Sequence, residues 1–117
     1  MQSDVGDGAT IDGFLQAATA PTVSAPVVTR SATRTGGGTL VAAKVTWKGT
    51  AGNTGPITRY EAWYQVGGGR LIAVPLASML ATSMSLTLRV GHTYRMAVRA
   101  KAGTRLGVIR YGATFTA

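Results

Sequence analysis

The chain has 117 residues, no cysteine and a formal net charge of +8. That length suits one domain with a single core, and the missing cysteines exclude disulfides and thiolate chemistry. No apolar run approaches the roughly 18–20 residues that span a bilayer, and residues 1–24 lack the basic start of a secretory signal.

Residues 1–21 are predicted to form an acidic, apolar arm or linker. Asp4, Asp7 and Asp12 are the only charges among residues 1–24, a net −3. The stretch "IDGFLQAATA" admits one or two helical turns with Asp12 as N-cap, or a flexible tail. Ile11, Phe14 and Leu15 are the candidate anchors of such an arm, because they are too apolar to sit comfortably in water. From Ser24 onward, 12 Lys/Arg face a single acid, Glu61, a net +11. A basic body behind an acidic segment suggests an anionic partner, or contact between one copy's arm and another's body.

Residues 22–117 read as short strands separated by turn residues. In chain order the expected strands are Thr22–Arg30, Leu40–Lys48, Ile57–Val66, Leu71–Val74, Ser83–Leu88, Thr93–Ala102 and Val108–Thr116. Breakers lie between them: "TGGG", "GTAGNTGP", "GGG", "GH" and "AGTRLG". "PLASMLATSM" (75–84) reads as a short helical turn or an irregular link. The class is therefore all-β, a seven-stranded antiparallel sandwich with an extended N-terminal arm.

Alternation sorts the faces. Val41, Ala43, Val45 and Trp47 should point inward, as should Tyr60, Ala62, Tyr64 and Val66. Tyr94, Met96, Val98 and Ala100 follow the same rule, leaving Arg95, Ala97, Arg99 and Lys101 outside. In the last strand Ile109, Tyr111, Ala113 and Phe115 are expected inside, with Arg110 outside.

"LTLRVGHTYRMAVRAKAG" places Leu88, Gly91 and Tyr94 at intervals of three. Together with Trp47 in "VTWKG", the "GPITRYEAWYQV" strand and a Pro-rich first strand, this resembles a fibronectin type III domain, an Ig-like β-sandwich. The resemblance implies that Gly91 lets the chain turn between sheets and that the Tyr94 hydroxyl pins the corner to backbone. Val90 departs from the family, which often has Pro there. Fold alone implies no function.

The sequence offers little to an enzyme. The body has one carboxylate, one His and no Cys, and no base stands ready to activate its Ser and Thr. No metal-ligand cluster is visible, and the glycine runs lack the context of a phosphate loop. No cofactor is expected. What remains is surface. In the resembled family, strands three, six and seven share a sheet, which would gather Arg59, Trp63, Arg95, Arg99, Lys101 and Arg110 on one outward face beside Glu61. That face either solubilises the sheet or docks an acidic protein surface or an anionic glycan. Nucleic acid is the weaker partner, with a single Trp and no groove-reading helix.

The favoured expectation is a structural protein. Small free-standing sandwiches of this kind resemble phage virion proteins, either capsid decoration or tail-associated. The partners would be an acidic protein lattice or neighbouring copies, and the place the virion, without membrane insertion. The start at Met1 and the end at the last expected strand fit a complete small reading frame. The alternative is a secreted accessory module, a spacer or weak glycan binder beside a polysaccharide-degrading enzyme, with "ATAPTVSAPVV" as the linker.

Overall fold

The computed structural model describes residues 17–117, and their regular structure is antiparallel β. β1 is Thr22–Val23, β2 Val27–Thr35, β3 Leu40–Thr46, β4 Gly49–Thr50, β5 Arg59–Val66 and β6 Ile72–Val74. β7 is Ser83–Arg89, β8 Thr93–Ala102, β9 Arg105–Leu106, β10 Arg110–Tyr111 and β11 Phe115–Thr116. One sheet runs β2-β3-β7. The facing one runs β10-β8-β5-β6, with β9 and β11 also on β8, and β1 pairs with β4. The result is sandwich-like.

The alternation of β3, β5 and β8 builds the core. Val41, Ala43, Val45 and Trp47 meet Tyr60, Ala62, Tyr94, Met96, Val98 and Ala100, and Val23, Met84 and Leu88 complete the layer. Met96, Val45 and Val98 are fully enclosed. Each such side chain contributes about 1.5–3 kcal/mol relative to exposure. Trp47 packs its ring against Tyr60 at 6.2 Å between centroids.

The corner after β7 behaves as the motif implies. The Arg89 amide donates to the Tyr94 hydroxyl at 2.8 Å. Gly91 takes φ 90°, a left-handed conformation that a side chain would strain. The carboxy-terminal residue is tied to the same corner: Gly91 donates to the Ala117 carbonyl at 2.7 Å and Ala117 to that of His92 at 2.9 Å.

Where seven continuous strands were expected, two are broken. The first divides at Ser24–Pro26, since Pro26 brings no N–H to a ladder. Val23 pairs with Gly49 but Val27 with Thr46, a slip of one residue. β2 then runs past the expected end at Arg30 to Thr35, across an irregularity between Arg30 and Arg34. The last expected strand becomes β10 and β11. Tyr111 lies opposite Ala97 while Phe115 lies opposite Tyr94, so one extra residue is absorbed between them. Such a bulge exchanges the two faces. Phe115 points inward as expected, but Tyr111 shares the outer face with Ala97, and Arg110 shares the inner side with Val98. Residues 75–82 form an irregular link containing no helix; Met79 accepts from the Tyr60 amide at 2.8 Å and Thr82 from Trp47 at 3.0 Å.

Replacing Tyr94 with Phe keeps the ring's volume and deletes its hydroxyl. The variant should unfold about 1–2 kcal/mol more easily, the cost of a backbone donor losing its partner. Urea unfolding followed by tryptophan fluorescence measures it.

Candidate functional site: a cationic and aromatic sheet face

The outer face of β5 and β8 is organised in rows set by strand register. Gln65 lies opposite Arg95, Trp63 opposite Ala97, Glu61 opposite Arg99 and Arg59 opposite Lys101. β10 extends the second row with Tyr111, and β9 extends the last with Leu106. Ala97 is therefore a small residue between two aromatic rings.

That gap is closed by the two arginines. The Arg99 guanidinium lies 5.4 Å from the Trp63 ring centre, and its Nε donates to Glu61 Oε1 at 2.6 Å. The Arg95 guanidinium stacks 4.0 Å over Tyr111, and its Nε donates to Gln65 Oε1 at 3.0 Å. Beneath them Ala97 has no exposed surface, although alternation puts it on the outer side. Each arginine is held by a ring and a polar side chain together.

Four cations, Arg59, Arg95, Arg99 and Lys101, accompany the single carboxylate of Glu61. Arg99 and Glu61 are about three-quarters buried at their side chains, 24% and 27% exposed. Arg59 is exposed and Lys101 partly so. A groove of about 460 Å³ adjoins the face, where Arg59, Glu61 and Trp63 meet Pro75, Ser78 and Met79 of the irregular link.

Of the residues picked out by sequence, Arg59, Trp63, Arg95, Arg99 and Lys101 come together here. Arg110 does not: the slip that divides the last strand turns it toward Val23, whose carbonyl accepts from its Nη1 at 3.3 Å. Tyr111 takes the place on the face that the alternation had given to Arg110. No signal in the sequence fixes that bulge. Ile11, Phe14 and Leu15 lie outside the described residues. Trp47, Leu88, Gly91 and Tyr94 stand in the core and at the corner, away from this face.

Residues 17–20, assigned by sequence to the arm, are fastened to the loop after β4. The Thr19 amide donates to Asn53 Oδ1 at 2.7 Å, and the Asn53 amide returns a bond to Thr19 Oγ1 at 2.9 Å. Asn53 Nδ2 reaches the Ala17 carbonyl at 3.0 Å, and Thr54 Oγ1 that of Thr19 at 3.1 Å. Gly52 makes the approach possible, since a Cβ there would collide with the Thr19 and Ala20 carbonyls.

Among the described residues no cluster of His, Cys, Asp or Glu stands ready for a metal ion, and no helix is long and apolar enough to cross a membrane. His92 is exposed at the corner. No protein-family model matches this chain, and no curated protein matches it.

Two expectations follow from the geometry. A double-mutant cycle with Glu61→Gln and Arg99→Gln should give a coupling of about 0.5–1 kcal/mol that shrinks at high salt. Asn53→Ala removes both side-chain bonds to residues 17–19, so hydrogen exchange at the Thr19 amide should accelerate by about tenfold or more, with amides of β8 unchanged.

Proposed function

We propose that this chain is a non-enzymatic structural and interaction module: a fibronectin type III-like sandwich that docks its cationic, aromatic face onto an acidic protein surface. The setting that best fits a small basic sandwich preceded by an acidic, apolar segment is the surface of a phage virion, as a capsid-decoration or tail-associated protein. The observation that carries the reading is the paired restraint of Arg95 and Arg99. Both are already ordered over Tyr111 and Trp63, so a partner need not bear the cost of freezing them. Arg, Trp and Tyr are also the residue types that dominate interface energetics. Opposite charge on the partner would guide approach and fix orientation.

The groove beside Trp63 favours a second reading, an accessory module that binds glycan weakly. An aromatic ring flanked by Glu61, Arg59 and Ser78 offers a sugar both a stacking surface and polar partners.

Co-sedimentation of the full chain with virions from the source culture separates the two. Docking through the face predicts binding that weakens as salt is raised, and at least a tenfold loss in an Arg95→Glu/Arg99→Glu variant (about 1.4 kcal/mol or more). Undiminished binding by that variant would remove the face from the contact. Absence from virions, together with retention on an insoluble polysaccharide that Trp63→Ala abolishes, would establish the glycan reading instead.

A further inference from the structure

Sheet edges expose unpaired backbone groups, and proteins blunt them with short strands, bulges, prolines or charge. Most edges here carry such a device. β2 has the irregularity between Arg30 and Arg34, and its two arginines. β6 is three residues long and runs into Pro75. β9, β10 and β11 are two residues each, with register slips between them. β7 is different. Its seven residues pair with β3 in unbroken register, from Ser83 with Thr46 to Arg89 with Leu40. It contains no Pro or Gly, and no charge before Arg89.

The free hydrogen-bonding groups of β7 can be assigned. Thr82 accepts from Trp47, and Val90 donates to Thr39, so the even-numbered residues address β3. In an antiparallel ladder the intervening residues then point the other way. Those are Ser83, Ser85, Thr87 and Arg89, and the Arg89 amide is already bound to Tyr94. Among the described residues nothing pairs with the backbone of Ser83, Ser85 and Thr87 on that side, and Ser85 and Thr87 are exposed. Half-buried Leu86 lies beside them at a crevice of about 380 Å³ that it lines with Tyr64, Val66 and Leu88.

We propose that β7 pairs with β7 of a second copy, antiparallel about a two-fold axis at Ser85. The pattern is self-complementary. Ser85 meets Ser85, Ser83 meets Thr87, and about six backbone hydrogen bonds form. On the inner side Met84 of one copy meets Leu86 of the other, covering the crevice. No like charges oppose each other: Arg89 falls opposite Ala81. Lys44, beside Ser85 on β3, lies about three strand spacings, or ~14 Å, from its counterpart, beyond the ~8 Å Debye length at physiological salt. A chain of net charge +8 thus joins a second copy along a segment, Ser83–Thr87, that carries none of that charge. The pairing is independent of the docking face, and it answers to salt in the opposite sense.

Sedimentation velocity of the full chain over a concentration series tests it. The expected species has twice the 12.0 kDa mass of the chain and is favoured by added salt. Ser85→Pro, at a position whose N–H faces the free edge, and Ser85→Lys should both shift it to monomer with unchanged circular dichroism. Because the chain has no cysteine, Ser85→Cys should cross-link between copies on mild oxidation about tenfold faster or more than Ser31→Cys. A monomer at all concentrations would overturn the proposal. So would a dimer that survives both substitutions, or equal cross-linking at the two positions.

Discussion

The pleat of β8 is the constraint on which the rest depends. β8 is paired along both of its edges, and over eight residues its register with β5 is unbroken. Its even-numbered side chains, Tyr94 to Ala100, fill the core, while Arg95, Ala97, Arg99 and Lys101 stand on the outside. A slip of one residue would send the arginines into the core and Met96 and Val98 into water. Burial therefore fixes the outer face as firmly as it fixes the inner one. The order of Arg95 and Arg99 is a by-product of the apolar register beneath them.

Charge is handled locally on that face. Among the described residues Glu61 is the one acidic side chain, so most of the arginines there have no carboxylate beside them. Arg99 finds Glu61 and Trp63, and Arg95 finds Gln65 and Tyr111; on the other sheet, Arg30 of β2 lies 5.4 Å from the Phe115 ring while donating to the Thr116 carbonyl. For Arg95 and Arg30, rings, an amide and a carbonyl stand where a carboxylate would. The face is thus ordered with Arg99 alone of its cations paired to a carboxylate among the described residues.

The sequence made the central strands legible and the edges obscure, for a physical reason. β3, β5 and β8 are buried on one side, so alternation is written into them residue by residue. The Leu88–Gly91–Tyr94 spacing was readable because the corner needs a glycine and a hydroxyl at fixed positions. The last strand could not be read this way. Its bulges are set by backbone crowding, with Gly107 lying against the Pro21 carbonyl and Gly112 against that of Pro26. That contact joins residues far apart in the chain and leaves no period in the sequence. Arg110 and Tyr111 exchanged faces as a result. The burial of Ala97 escaped for a related reason, since its cover comes from side chains on its own face. The clasp of Thr19 on Asn53 depends equally on contact across the fold.

That clasp also determines how the molecule would bear force. Tension that arrives through residues 17–19 is passed to Asn53 and Thr54. It meets several hydrogen bonds there, near the start of β1, before any core side chain is loaded. Ala117 is held separately, at the corner beside Gly91 and His92. A pull between residue 17 and Ala117 therefore loads both polar latches ahead of β1 and β11, which gives the body a graded resistance to load.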